Sequence, residues 1–207
     1  KPYDQSPADN FLYSTIRAIN DHLFKIEKAD GHHLHDIAPS LRGWEGAATK
    51  RYFAAVSRLL PEEYQFEKRT AHPALDSFNA CLNYGYGILY SKVESSLIKA
   101  GIDPYLGIFH RDEYNRPALV YDVIERFRAW IDFVVIRLCM QHAFTDECFS
   151  ITPQQCTLES FGKRILIQSV NDYLDEIILI EGHERSRATH LDLYAHRLAK
   201  EFLSAPD

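Results

Sequence analysis

The sequence is 207 residues long, with a formal net charge of -6, 46% hydrophobic residues and 25% charged residues. Those values are typical of a folded globular protein and exclude an intrinsically disordered chain, which would be poorer in aromatic and apolar residues. The negative balance, taken alone, argues against a nucleic-acid partner. No apolar run reaches the roughly 18 residues that a membrane helix needs, so we expect no membrane contact.

Helical periodicity dominates the chain, and strand-like alternation is scarce. The first helix is expected to begin after Ser6, a capping residue that a proline follows, and to end at Gly31. A second helical stretch covers about 33–60 and stops at Pro61. A charged loop is expected over 61–73.

The third helix is predicted to begin at Asp76 or Ser77, either of which can cap it, and to end at Gly101. Gly85 and Gly87 lie inside this helix. Each costs about 1 kcal/mol relative to alanine at such a position. Two internal glycines therefore indicate close backbone packing there.

A connector leads from the third helix to His110, and a polar turn follows over 111–116. An unbroken apolar stripe then predicts one long helix from Pro117 to about His142. This helix and the third would form a central pair.

Two more helices are expected over about 157–181 and 186–204. The elements together predict an all-α fold of about six to eight helices, arranged as a multi-helix bundle. Nothing resembles a flexible linker, so residues 1–207 are predicted to form a single helical domain.

The four cysteines have neither the spacing of a zinc site nor the density of a disulfide framework. They are Cys81, Cys139, Cys148 and Cys156. We predict reduced, mostly buried thiols and a cytoplasmic location. Met140 is the only methionine, so Lys1 is not a translation start and the sequence is expected to be a fragment or a processed product.

Two carboxylates, Asp122 and Glu125, stand three residues apart within an apolar stretch of the predicted long helix. At this spacing they share a helix face. Carboxylates near a core are costly unless they are paired or coordinate a cation. Arg126 and Arg128 supply possible ion pairs, so the spacing alone leaves a structural role and a metal-binding role open.

His110 lies 12 residues before Asp122 and 15 before Glu125. A tight turn would fold its imidazole over the start of the carboxylate helix. Imidazole with carboxylates suits Mn²⁺, and Mg²⁺ less readily because that ion prefers oxygen. The alternative is a histidine that is satisfied by a backbone carbonyl.

Glu45 lies between Gly43 and Gly46 inside the second predicted helix. Glycines at these positions oppose helix formation, and one reason to keep them is room for a backbone or a ligand to approach. A simple irregularity of the helix is the alternative. The sequence contains no signature of a serine or cysteine nucleophile, a phosphate-binding loop or a zinc site.

Four segments, in this order and spacing, resemble one family. They are LRGWEGAATKRYF at 41–53, NACLNYGYGILYSKV at 79–93, GIDPYLGIFH at 101–110 and RPALVYDVIERFR at 116–128. They are similar to the CRISPR-associated spacer-acquisition integrase, CRISPR-associated protein one. The resemblance implies the C-terminal, all-helical catalytic domain of that family, without the β-rich N-terminal domain that its members also carry. A sequence without an initiator methionine is what such an excised domain would show.

The resemblance also implies the residues of the site. A Mg²⁺ or Mn²⁺ ion would be bound by Glu45, His110 and Glu125, and Asp122 matches the acidic position that completes the catalytic set. DNA contacts are expected from residues one helical turn from these ligands and from positions where the family places DNA-proximal side chains. These residues are Arg42, Tyr90, Lys92 and Arg128.

The function implied by the resemblance is strand transfer in CRISPR adaptation. The 3′-hydroxyl of a donor DNA would attack a phosphodiester at the end of a CRISPR repeat. Implied partners are double-stranded DNA (protospacer and repeat), CRISPR-associated protein two and, in the full-length protein, a second copy. The charge of -6 would then be an average that hides basic residues near the metal ligands.

Two alternatives remain open at this point. The same site would support a metal-dependent nuclease on branched or single-stranded DNA, with water as the nucleophile. The chain alone could also be a non-catalytic module that docks a partner protein.

Overall fold

The structure is a computed structural model and describes residues 7–30, 34–108 and 117–204. The chain divides into two compact units, Lys1–Thr70 and Ala71–Asp207. The described residues form seven α-helices and two small antiparallel hairpins, which confirms the predicted all-α fold. That the whole chain acts as one catalytic domain stays a prediction. None of the helices in these ranges is long and apolar enough to cross a membrane.

The first unit is built from two long helices. Its elements are α1 Pro7–Glu27, α2 Leu34–Leu59 and a 3₁₀ turn Glu62–Tyr64. The second helix ends before Pro61, as predicted, and α1 packs along it. The Ser57 hydroxyl donates to the Phe66 carbonyl at 2.6 Å and accepts from the Phe66 amide at 2.8 Å. This pair of bonds ties the segment after Pro61 back to α2. The predicted cap Ser6 and the predicted stop Gly31 lie outside the described residues.

The second unit is organised around one central helix, α3 Ser77–Lys99. Its other elements, in chain order, are α4 Ala118–Ile124, α5 Arg128–Met140, a 3₁₀ turn Asp146–Cys148, β1 Phe149–Ile151, β2 Cys156–Leu158, α6 Ser160–Asp175, β3 Ile177–Ile180, β4 His183–Ser186 and α7 Arg187–Ser204. The central helix contacts α4, α5, α6, α7 and β2. Its fully buried side chains, among them Leu82, Leu89 and Leu97, form the middle of the core.

The ends of α3 lie where the sequence places them. Asp76 caps the helix, because its Oδ1 accepts from the Asn79 amide at 2.8 Å and its Oδ2 from the Asn79 side chain at 2.7 Å. Gly101 follows the helix with φ +79°, a left-handed conformation that glycine adopts without strain.

The two glycines inside α3 differ in their surroundings. A Cβ built on Gly85 would lie 2.6 Å from Ile131 Cγ2, so the glycine allows α3 to approach α5 closely. A Cβ built on Gly87 would meet no described atom within 4 Å. Close packing is therefore confirmed at Gly85, and the same prediction is wrong at Gly87.

The predicted long helix over 117–142 is interrupted at 125–127. The Arg126 amide bonds the Val123 carbonyl at 3.3 Å, and the Phe127 amide bonds the Ile124 carbonyl at 2.9 Å. These are i to i−3 bonds, which tighten and end a helical segment. The chain then begins α5 after Phe127, whose buried ring packs on Trp130 at 4.9 Å and on Tyr194 at 5.5 Å.

The predicted helix over 157–181 is too long at both ends. Residues at its start pair in the hairpin β1–β2, and those at its end in β3–β4, where Ile177 is opposite Ser186 and Ile180 opposite His183. Isoleucine-rich runs favour strands, and the Glu181–Gly182 turn has positive φ at both residues (51° and 81°), as a two-residue hairpin turn requires.

All four cysteines are thiols, and all are buried, as predicted. Burial raises the pKa of the Cys81 thiol well above its ordinary value, and the neighbouring cysteines raise it further. Burial also raises the pKa of Cys156. Both groups are therefore protonated at neutral pH and poorly reactive, since the thiolate is the nucleophile.

Candidate functional site

Glu125 lies at the break between α4 and α5. The helix ends at this point. Val123 and Ile124 just before it are buried, whereas the side chain of Glu125 is not. The buried Phe127 anchors the break from the core side. The Glu125 side chain is 36% exposed and faces solvent while its backbone is fixed. An accessible carboxylate on a rigid support is suited to bind a cation.

Arg128 fixes the orientation of that carboxylate. Its Nη1 lies 2.9 Å from Glu125 Oε1, and its guanidinium lies 5.0 Å above the ring of Tyr86. The Tyr86 hydroxyl donates to Asp132 Oδ1 at 2.5 Å, and Asp132 is buried. A chain of contacts therefore connects the buried Asp132, through Tyr86 and Arg128, to the exposed Glu125.

Asp122 binds the connector that precedes His110. Its Oδ2 accepts from the Ile108 amide at 2.6 Å. A second tie comes from the Leu119 amide, which donates to the Pro104 carbonyl at 3.0 Å. The connector is thus held against α4 up to Ile108. His110 itself lies outside the described residues, and its expected place over the carboxylates stays a prediction.

Tyr90 lies one helical turn beyond Tyr86 on α3. Its ring centroid is 5.3 Å from that of Tyr121 on α4. Burial, followed by the charge of Tyr121 and Glu94, raises the pKa of Tyr90 to about 12. The phenol is therefore neutral across the physiological range, and it shares a side-chain hydrogen bond with Tyr121. Lys92, two residues on, is exposed.

Glu45 and Arg42 lie on α2, in the first unit, and both are exposed. A Cβ built on Gly43 or Gly46 would meet no described atom within 4 Å. A larger side chain would thus fit at both positions within the first unit, so close packing there does not explain why glycine occupies them. The interpretation that they leave room for a ligand stays a prediction.

The structure brings part of the predicted site together. Glu125 and Arg128 are in contact, with Asp122 one turn away on α4, whereas Glu45 belongs to the other unit. Among residues 7–30, 34–108 and 117–204, no group of three or more His, Cys, Asp or Glu side chains is arranged to hold a metal ion. The predicted ligand set includes His110, which is outside those ranges.

Sequence reasoning missed three supporting residues, which are Tyr86, Tyr121 and Asp132. Tyr86 could have been found from the sequence, because it lies four residues before Tyr90 and so shares a helix face with it. The other two are recognisable only once α3 is packed against α4 and α5.

Solved structures share this fold. A casposase bound to its integration product superposes with a TM-score of 0.81 at 25% identity, over 96% of this chain and 56% of the casposase. A Cas1 protein from Thermotoga maritima superposes with a TM-score of 0.78 at 22% identity, over 95% of this chain and 62% of the other. A Cas6-RT-Cas1–Cas2 complex gives 0.81 at 24% identity, over 97% of this chain and 22% of that one.

Sequence comparison gives relatives that are named as Cas1 proteins. The CRISPR-associated endonuclease Cas1 1 of Archaeoglobus fulgidus is 31% identical over 191 residues, which are 89% of this chain and 55% of the relative. Cas1 3 of Thermus thermophilus is 42% identical over 111 residues, which are 53% of this chain and 33% of the relative. The chain thus spans about half or less of the curated relatives it matches.

The fold is that of a helical domain found in casposase and in a Cas1 protein. The family model described as CRISPR associated protein Cas1 matches residues 2–172. The chain belongs to the Cas1 family.

Proposed function

We propose that this chain is the catalytic part of a CRISPR-adaptation integrase, which joins the 3′-hydroxyl of a protospacer DNA to a phosphodiester at the end of a CRISPR repeat. The observation that carries the proposal is the exposed Glu125 carboxylate, held by Arg128 beside the connector that leads to His110. Membership of a family of named endonucleases and the likeness to a casposase bound to its integration product support it.

We propose that Glu45, His110 and Glu125 bind Mg²⁺ or Mn²⁺. Carboxylate oxygens with one imidazole are ligands that suit Mn²⁺. The side chains of Glu45 and Glu125 are accessible, and an exposed ion pair such as Glu125–Arg128 is worth about 0–1 kcal/mol, so a cation displaces Arg128 at little cost. When bound, the ion would activate the attacking hydroxyl and stabilise the charge that develops on the phosphoryl group.

The remaining predicted residues supply positioning and DNA contacts. Arg128 orients Glu125 before the ion binds and, once displaced, has a guanidinium within reach of a flanking phosphate. Tyr90 presents a neutral phenol and Lys92 an exposed ammonium, both from α3 but from different faces of it. Arg42 would do the same from α2, one turn from Glu45.

Asp122 acts in this proposal as a positioning residue for the His110 connector. Asp122→Ala is expected to slow strand transfer about tenfold or more, because a hydrogen bond to a charged acceptor contributes about 1.5–3 kcal/mol. Asp122→Asn is expected to retain most of the activity, since its amide oxygen still accepts from the Ile108 amide. Hydrogen exchange at Ile108 should accelerate in the alanine variant alone. Equal losses of activity in both variants would instead indicate that the carboxylate acts through its charge, as a proton acceptor.

Products distinguish the three functions. We expect this chain with Mn²⁺, a labelled donor DNA and a plasmid that carries a CRISPR repeat to yield joined strands. Hydrolysis fragments without joined strands would show a nuclease on branched or single-stranded DNA. Mn²⁺ binding with neither product would show that the chain alone is a docking module.

We further propose that the full-length protein forms a homodimer and assembles with a Cas2 protein. The likeness to a chain in a Cas6-RT-Cas1–Cas2 complex supports the choice of Cas2. The four buried, reduced thiols are compatible with the proposed cytoplasmic location.

A further inference from the structure

Two arginines that the sequence analysis did not assign as DNA contacts face each other beside the α4–α5 break. Arg126 follows the proposed ligand Glu125 directly, and Arg197 lies on α7. The side chain of Glu181, at the tip of the β3–β4 hairpin, lies between them. Arg126 Nη2 is 3.8 Å from Glu181 Oε1, and Arg197 Nη1 donates a hydrogen bond to Glu181 Oε2. We call Arg126, Glu181, Tyr194 and Arg197 the arginine cluster.

An aromatic ring holds the two guanidinium groups in place. Arg126 lies 5.1 Å, and Arg197 5.5 Å, from the centroid of the Tyr194 ring. The same ring makes an edge contact at 5.5 Å with Phe127, the buried anchor of the break. Through Tyr194 the cluster therefore contacts Phe127, in the segment that carries Glu125.

Glu181 has an unusual backbone for its residue type. Its φ of 51° is left-handed, a conformation that favours glycine and asparagine in such turns. The hydrogen bond from Arg197, together with the charges of Arg197, Arg126 and His183, lowers the pKa of Glu181. The carboxylate is therefore an anion that the cationic groups already bind.

A small cavity opens beside the cluster. It has a volume of about 220 Å³, and its lining includes Arg126, Arg197, His183 and His190. Drug-sized ligands occupy roughly 300–1,000 Å³, so this space fits a phosphate group better than a whole nucleotide. The side chains of Arg126, Glu181 and Arg197 are 54%, 51% and 44% exposed, so a phosphate on a long polymer can reach them.

We propose that Arg126 and Arg197 bind a backbone phosphate of DNA next to the reacting strand, and that Glu181 occupies this anion position until DNA arrives. Only the identification of the polyanion as DNA rests on the proposed function. Two permanent cations lie beside the Glu181 carboxylate, and the charge of Glu201, one turn further along α7, also acts on Arg197. Phosphate contacts of this kind position a duplex without reading its sequence.

The test is DNA binding by the full chain as a function of salt. Arg126→Ala and Arg197→Ala are each expected to weaken binding of a random-sequence duplex about fivefold between about 50 and 200 mM salt. Each should also make log K less steep against log salt, and the double variant should lose about 0.9 of the slope, the share of one phosphate. Glu181→Gln is expected to bind more tightly than the wild type, because a competing anion is removed. A matched control is Arg164→Ala, an arginine 5.7 Å from the Phe161 ring on α6, which should leave the slope unchanged.

Several results would overturn this inference. The first is that the Arg126 and Arg197 variants bind DNA with the same affinity and the same salt slope as the Arg164 control. Another is weaker binding by Glu181→Gln, with a thermal melt that shows the variant folded. A wild-type chain that binds no duplex at about 50 mM salt would overturn it as well. Strand-transfer assays on the same proteins separate the two proposals: salt slopes as expected without joined products would contradict the proposed function alone.

Discussion

Glu125→Gln is expected to lower strand transfer about a thousandfold, because loss of a metal ligand removes several kcal/mol of transition-state stabilisation and each 1.4 kcal/mol is about tenfold in rate. The fold should be unaffected. Glutamine has the same shape, and the Glu125–Arg128 pair that it removes is exposed, so the free energy of unfolding should change by about 1 kcal/mol at most. A gel assay for joined strands and a urea titration measure the two effects.

Mn²⁺ affinity gives a readout that does not depend on activity. Glu125→Gln and His110→Ala are both expected to weaken Mn²⁺ binding in calorimetry. The matched control is Glu176→Gln, which removes a carboxylate of similar exposure paired with Arg187 at 2.6 Å. That control should bind Mn²⁺ and join strands as the wild type does. Unchanged Mn²⁺ affinity in both the Glu125 and the His110 variants would mean that the proposed site is wrong.

Ile131→Ala is expected to reduce the free energy of unfolding by about 2–5 kcal/mol. Its side chain is fully buried and fills the space above Gly85, so truncation removes apolar contacts and leaves a cavity. Ile167→Ala, at a position that is 37% exposed on α6, should cost only about 0.5 kcal/mol. Urea denaturation of the two variants makes the comparison.

A double-mutant cycle tests the contact itself. Gly85→Ala should cost about 1–3 kcal/mol in the wild type, because its Cβ would lie 2.6 Å from Ile131 Cγ2. In the Ile131→Ala background that methyl group is gone, and the same change should be neutral or stabilising. Gly87→Ala, which meets open space, should stabilise by about 0.5–1 kcal/mol. Equal costs of Gly85→Ala in both backgrounds would contradict this packing.

Local chemistry accounts for the parts of the fold that the sequence predicts well. The start of α3 follows from Asp76, whose side chain bonds an amide three residues away, and its end follows from Gly101. Both signals act over a few residues. Asp122 and Glu125 could likewise be selected from their spacing, since a carboxylate pair in an apolar stretch is costly without a partner.

The interrupted helix could not be predicted in the same way. Apolar residues continue at helical spacing through Ile124, Phe127 and Ile131, so this spacing alone indicates an unbroken helix. The break depends on the packing of Phe127 against Tyr194, which is far away in sequence. The run Ile177–Ile180 also fits a helix or a strand until its partner strand is known. Tertiary contacts decide both cases.

The same limit applies to the candidate site. Tyr86 and Asp132 support Arg128 only because α3 packs against α5, and Asp122 meets Ile108 only because the connector folds against α4. The resemblance to Cas1 supplied the roles of Glu45 and His110. The carboxylate at position 125 has a structural context that agrees with its proposed role, namely an exposed position on a rigid break.

The most direct test of the proposed metal site is a crystal structure of this chain grown with Mn²⁺, with data collected at the manganese absorption edge. We expect one anomalous peak shared by the carboxylates of Glu45 and Glu125 and the imidazole of His110, at distances of about 2.0–2.4 Å. The Arg128 guanidinium should have moved away from Glu125 Oε1. An anomalous peak bound by other residues, or no peak at Glu125 at saturating Mn²⁺, would contradict the account.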